Sequence, residues 1–475
     1  MKKHGLLKIL GAILLLVVIA SFALTGRNDT KDYIGLGDVV FNGFKSLYFF
    51  FYLAVFLLSI GGLYGILNKA PAYKKLLDKI TTKLKPLGKK YIFITILVFA
   101  VISSLTGMTL PLLIFVPFVI SIILSLGYDK LVAVSSTIVS IMVGYIGGVF
   151  VTFYNPNAYG MSTYETFVGA ETQFANVFPK LLLLFSSITL LIYFVNNHIK
   201  TVENKKVKYE LNEDSELLIH EVKGNYKEIK TWPLIVILSL VFIILTLGMV
   251  PWKSLFDLTI FTEFHTWLTG LSIKEFKIIP NIISASIPAF GEWNTSGNPM
   301  TSYIFICLLL LFFTALIALI NRIKLDDAID SYLEGVKKAL PAAILITVAY
   351  TVLVCVYNNG FLEKIIADYG KFNYGISSLL AFLGSILNVD MTWILLGAYS
   401  PIVNLITDST IYESVAILLQ GIYGIASLVG PTSLILIFGL SYLDIPYTTY
   451  LKYIWRFILA LIVLVALVTL IVVLL

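Results

Sequence analysis

The run Tyr91–Leu126, YIFITILVFAVISSLTGMTLPLLIFVPFVISIILSL, is almost wholly apolar and broken near its middle by Ser103-Ser104-Leu105-Thr106-Gly107. A spanning helix needs about 20 mostly apolar residues, so this run is long enough to cross a bilayer twice. Non-helical backbone at membrane depth is tolerated only inside the protein or along a watery cavity. A small, hydroxyl-rich break in such a run therefore predicts a helical membrane protein with an internal site. The rest of the chain fits. Of its 475 residues 58% are hydrophobic and 13% charged, and the mean hydropathy is +0.92. A soluble domain is roughly 45–50% apolar and about 25% charged. That difference excludes a cytosolic globular enzyme, a disordered chain and a disulfide scaffold. A β-barrel is excluded because its strands would alternate.

Outward from this run, further apolar stretches cover Leu6–Leu24, Phe44–Leu67 and Leu131–Tyr154, the last ending in Asn155-Pro156, and then Phe178–Asn197. The first, behind Lys2 and Lys3, also has the form of a signal peptide, but the symmetry described below needs it retained. Lys200–Thr231 is a polar linker with seven lysines and seven acidic residues. Trp232–Val250 is one more span, and Pro251–Pro299 reads as an interfacial segment with short helices. The later spans are Thr301–Ile320, Ala339–Tyr357, the interrupted Tyr374–Ile406, the glycine-broken Ile411–Leu440, and Tyr453–Leu475. The net charge of +6 comes from loop lysines and is no nucleic-acid signal. With the N-terminus placed in the cytoplasm, the inner segments hold 22 lysines and arginines and the outer ones 8, as the positive-inside rule requires.

The halves recur. Leu36-Gly37-Asp38 with Gly43-Phe44-Lys45 matches Leu325-Asp326-Asp327 with Gly335-Val336-Lys337, and Asn68-Lys69-Ala70 matches Asn358-Asn359-Gly360. Five elements repeat in order, and the odd span Trp232–Val250 between them turns the second half over. The expected organisation is a first repeat at 1–199, a linker region at 200–300 and an inverted second repeat at 301–475. Secondary transporters are commonly built this way, with substrate held near the midplane at the repeat interface.

Four breaks are the candidate site. They are Ser103–Pro111 (Ser103, Ser104, Thr106, Thr109), Gly144–Pro156 (Gly147, Asn155), Ser385–Thr392 (Asn388, Asp390, Thr392) and Gly421–Ser433 (Gly424, Ser427, Thr432, Ser433). Freed carbonyls and side-chain oxygens suit sodium, and freed N–H groups suit a carboxylate. A single Gly-x-x-Gly is more often close helix packing; four paired breaks favour a site. Asp390 is the sharpest residue, because a carboxylate at membrane depth is costly. It is a candidate to bind a cation, carry a proton or pair with a cationic substrate group; its bland alternative is a solvated interfacial position. Glu292 reads as a surface or capping residue. His4, His198, His220 and His265 show no metal or triad spacing, no phosphate-binding loop is present, and Cys307 and Cys355 read as inert buried thiols.

Ile60-Gly61-Gly62-Leu63-Tyr64-Gly65-Ile66-Leu67-Asn68-Lys69, then Gly127-Tyr128-Asp129 and Gly144 to Asn155-Pro156, resemble the YfcC-like branch of the ion transporter superfamily, relatives of DcuC-type C4-dicarboxylate carriers. Gly430-Pro431-Thr432-Ser433, Ile445-Pro446-Tyr447 and Tyr450-Leu451-Lys452 carry the same resemblance, which runs over nearly the whole chain. It implies an all-α polytopic membrane protein with two inverted repeats, each with a re-entrant hairpin and a discontinuous helix, usually a homodimer. It also implies secondary transport of carboxylates or amino acids, arginine/ornithine exchange included. The polar positions depart from the branch. Thr109-Leu110-Pro111 stands where acidic residues are usual, Leu387-Asn388-Val389-Asp390 replaces a Ser-Gly-Ser-Gly-type tip, and Ile422-Tyr423-Gly424 a Gly-Asp-Gly-type turn. Ala349-Tyr350-Thr351 stands where an arginine is often seen.

The expected function is an ion-coupled or exchanging secondary transporter of a small carboxylate or amino acid in the plasma membrane. Its partners are the substrate and the lipid bilayer, with Na+ or H+ as coupling ion and no resident cofactor. A channel-like pore and a degenerate non-transporting subunit are the rivals. An enzyme is not expected, since no His or Asp/Glu cluster lies at one depth.

Overall fold

A computed structural model of the protein describes residues 5–24, 33–149, 168–169, 176–205, 229–282, 287–293, 299–387 and 390–474. Two long helices, α2 (Leu36–Lys69) and α10 (Leu325–Asn359), form its spine. They pack antiparallel. Asn42 meets Cys355 and Asn358 at one end, Ser46 donates to the Thr347 carbonyl, and Gly61 meets Gly335 and Ala339 towards the other. The backbones approach closely because Gly61, Gly65 and Gly335 have no Cβ. One built on Gly61 would lie 2.5 Å from the Gly335 carbonyl oxygen and 2.7 Å from the Ala339 Cβ. Small residues at such a crossing are the usual way for membrane helices to gain packing energy.

The remaining helices fall into two series. The first comprises α1 (Gly5–Leu24), α2, α3 (Pro71–Leu84), α4 (Lys89–Thr106), α5 (Val116–Ser125), α6 (Lys130–Ile146) and α7 (Val177–Lys205). After α8 (Trp232–Met249) the second comprises α9 (Pro299–Ile320), α10, α11 (Phe361–Tyr369), α12 (Tyr374–Leu387), α13 (residues 391–403), α14 (Tyr412–Val429), α15 (Leu434–Tyr442) and α16 (Tyr447–Leu474). Among the described residues nine helices are long and apolar enough to cross a membrane. Between α8 and α9, Trp252–Phe256, Ile260–Gly270 and Ile278–Ile282 are short helices. A two-residue hairpin pairs Ser272–Ile273 with Phe276–Lys277.

Both interrupted runs turn back on themselves. Gly107, at φ +64°, ends α4, a conformation glycine adopts without a Cβ penalty. The chain makes one turn at Thr109–Leu112 and returns through α5 to Tyr128, beside Gly88 where α4 began. In the second series α12 and α13 lie side by side: Ser385 Oγ is 2.7 Å from the Tyr399 hydroxyl, and Gly384 meets Ala398.

Three expectations need correction. Only 321–324 of the expected loop 321–338 is loop, because α10 is continuous from Leu325 through Pro341 to Asn359. Asp326 and Asp327 in its first turn complement the helix dipole, and the apolar run marks only its membrane-embedded part. Likewise the 68–90 connection holds α3, whose Ala72, Tyr73, Leu76 and Leu77 are buried while Lys79 and Lys83 are exposed. The expected span to Tyr154 is shorter: α6 ends at Ile146, and Gly147 leaves the helix where a Cβ would lie 2.5 Å from Leu184 of α7. Asn155-Pro156 lies outside the described residues.

Candidate functional site

The second-series hairpin tip carries Asp390. Its backbone carbonyl accepts the Ile394 N–H at 2.9 Å and its Oδ1 the Trp393 N–H at 3.3 Å, so it caps α13. Capping places a short polar side chain there on local grounds. A second partner comes from the spine: the Tyr350 hydroxyl of α10 donates to Asp390 Oδ2 at 2.7 Å. Aromatic rings surround this pair. Phe50 of α2 lies 4.2 Å from Tyr350 and 5.9 Å from Trp393, centroid to centroid, and Tyr357 lies 4.5 Å from Trp393.

Tyrosine hydroxyls of both series lie within Coulombic reach of the Asp390 carboxylate. They belong to Tyr52 of α2, Tyr145 of α6, Tyr303 of α9 and Tyr423 of α14. Tyr145 and Tyr423 meet edge to face at 5.4 Å, and the tilted rings of Tyr52 and Tyr303 lie 5.7 Å apart. The Tyr145 hydroxyl is 2.6 Å from Thr109 Oγ1 at the first hairpin tip. Tyr145 and Tyr423 thus adjoin the first hairpin tip, and their hydroxyls interact electrostatically with Asp390 at the second. Tyrosine suits this place because it brings an apolar ring and a hydroxyl that both donates and accepts.

The two helix breaks cross beside it. Gln420 of α14 donates from Nε2 to the carbonyls of Ile146 at 3.2 Å and Gly148 at 3.0 Å. A Cβ on Gly424 would lie 3.0 Å from the Ile146 backbone, and Ser433 Oγ is 3.9 Å from Met142 Sδ. Ser104 supports the first break, donating to the Gly147 carbonyl at 2.6 Å, and Ser103 donates to the Ile141 carbonyl at 2.8 Å. At the second break α14 stops at Val429 and α15 starts at Leu434. The last carbonyls of α14 are taken by α16: Tyr450 donates to Leu428 at 3.0 Å, and Tyr447 donates to Val429. Thr432 donates to Ile386, near the second hairpin tip, at 2.8 Å. Ser427 donates back to Gly424 at 2.7 Å and Thr106 to Ile102 at 2.5 Å.

The expected site residues thus fall into two groups. Thr109 and Asp390 present polar groups to the tyrosine cluster. Ser103, Ser104, Gly147, Gly424, Thr432 and Ser433 meet at or beside the breaks, where their hydroxyls or bare Cα positions hold helices together, and Ser427 bonds within α14. Thr106 closes the end of α4. Thr392 lies in the first turn of α13, and Asn155 and Asn388 lie outside the described residues. The five tyrosines and Gln420 were missed. A lone glutamine in the apolar run 415–430 was the available signal for the latter. Gln420 Oε1 is buried and has no hydrogen-bond partner among the described residues, unusual for a buried amide oxygen. Among those residues no three His, Cys, Asp or Glu side chains converge as a metal site.

Residues 51–474 match the DcuC family, the C4-dicarboxylate anaerobic carrier. The chain belongs to the DcuC family. This DcuC-family protein is a membrane transporter. No curated protein matches it. It is similar in structure to the Alcanivorax borkumensis YdaH transporter, whose crystal structure is described as having an unusual topology, at 13% identity, a TM-score of 0.40 and 98% coverage of each chain.

Proposed function

We propose that the protein is a cation-coupled secondary carrier of a small carboxylate or amino acid across the plasma membrane. The carrying observation is Asp390, held by Tyr350 and the Trp393 N–H within a tyrosine cluster drawn from both series. A carboxylate among aromatic rings attracts a cation, whether sodium, a proton or a substrate ammonium group. The neighbouring hydroxyls donate to a substrate carboxylate. Family membership favours a C4-dicarboxylate as that substrate, which leaves Asp390 to the coupling ion. The paired series and the antiparallel α2–α10 spine support two inverted repeats with hairpins and breaks at their interface. In this reading the N-terminus, α3 and the start of α10 face the cytoplasm, as their lysines favour, and the protein works as a homodimer.

The test is uptake into proteoliposomes of labelled C4-dicarboxylates and amino acids, with and without sodium and proton gradients. Saturable accumulation against a gradient, driven by one of these ions, supports the reading. Gradient-independent equilibration of all solutes overturns it in favour of a pore.

A further inference from the structure

An apolar groove of about 650 Å3 lies outside the substrate region, where α8 crosses α2, α3 and α9. Sites of roughly 300–1,000 Å3 suit a ligand the size of a lipid chain or a drug. Its walls are Leu67 of α2, Ile80 of α3, Phe242 of α8, Phe313 of α9, and Phe115 and Phe118 on the return limb of the first hairpin. It follows α8 from Ile235 to Ile243, about 12 Å at 1.5 Å per residue. Ile235 and Ile243 are exposed on a helix apolar enough to span a membrane, so the slot opens towards acyl chains. Its α3 end is different. Lys79 and Lys83, one helical turn apart and both exposed, line it, and no acidic side chain does. Lys75, one turn earlier, is engaged with the Ile229 carbonyl at 2.8 Å and ties α3 to the start of α8.

We propose that this groove seats an anionic phospholipid of the bilayer, with an acyl chain in the slot and the phosphate between Lys79 and Lys83. Charge complementarity selects the occupant. A basic amphipathic helix lying over a gap between spans matches an anionic headgroup and its tail together. The same groove touches both the spine and the hairpin limb through Phe115 and Phe118, so the seated chain bears on the segment that carries Thr109 to the tyrosine cluster. For two lysines the expected preference for phosphatidylglycerol over phosphatidylcholine is roughly 30-fold.

Native mass spectrometry of the delipidated full-length protein, titrated with each lipid, measures this directly. Wild-type protein binds phosphatidylglycerol more tightly by roughly that factor. The K79Q/K83Q variant, which alters exposed side chains only, brings the two lipids to near equality. Ser239→Trp, placed in the groove wall on α8, weakens both. Equal binding of the two lipids by wild-type protein, or a preference unchanged in K79Q/K83Q, overturns the proposal. So does a Ser239→Trp variant that turns a dimer into a monomer with phosphatidylglycerol binding intact, because a second copy then covers the groove.

Discussion

Replacing Asp390 by Asn removes one charge: the amide oxygen still accepts from the Trp393 N–H, and the NH2 stands where Tyr350 donated, so that hydrogen bond reverses and the Tyr350 hydroxyl accepts. The cap and the spine contact therefore survive. Charged hydrogen bonds contribute about 1.5–3 kcal/mol and neutral ones about 0.5–1.5, so with two bonds weakened stability falls by roughly 2–3 kcal/mol and the protein still reaches the membrane. The effect on a bound cation is larger. At about 4 Å in an effective dielectric near 20, a unit charge pair gains roughly 4 kcal/mol, about three decades in affinity. In proteoliposomes the variant loses ion-driven accumulation at ordinary ion concentrations, while its elution on size-exclusion chromatography is unchanged. Uptake by Asp390→Asn with the wild-type rate and ion dependence refutes the reasoning, and coupling then passes to neutral oxygens such as that of Gln420.

Tyr350→Phe keeps the ring against Phe50 but deletes the donor to Asp390; uptake should show a shifted pH or sodium dependence with little loss of folded yield, measured on the same vesicles. Gln420→Leu leaves the Ile146 and Gly148 carbonyls without their amide donor, which costs about 1–3 kcal/mol for each buried group left unpaired and should lower the thermal midpoint in detergent by several degrees. Gly65→Val places a side chain against the Ser331 carbonyl; overpacking of this kind costs typically 1–3 kcal/mol, read as lost monodisperse protein, whereas Gly37→Ala, with open space around it, should be neutral. Single cysteines at 83 and 205 should resist an impermeant thiol reagent in intact cells, and ready external labelling reverses the orientation.

The spans were legible because lipid imposes apolarity over whole helices, and so were the turn-backs at Gly107 and Asp390, where small or polar residues interrupt otherwise unbroken apolar runs. Helix extents were less so. Apolarity ends at the headgroups, while hydrogen bonding and dipole-favoured Asp326 and Asp327 carry α10 four turns further. The tyrosine cluster was not legible, because 27 tyrosines are scattered along the chain and only packing decides which five converge. The hydroxyls read as ligands illustrate the same gap: Ser103 and Ser104 bond the backbone of α6 and Gly147, a choice fixed by a neighbour some 40 residues away that no local pattern encodes.

The bond from Gln420 to Ile146 joins positions 274 residues apart. During synthesis at about 5–20 residues per second, the end of α6 emerges roughly 14–55 s before the amide that completes it. Through that interval its carbonyls face either hydrocarbon, where an unsatisfied group costs several kcal/mol, or the water and protein of the insertion machinery. Biogenesis therefore favours holding the first half beside the translocon until α14 arrives, and a chain truncated before residue 420 leaves the Ile146 and Gly148 carbonyls without this donor.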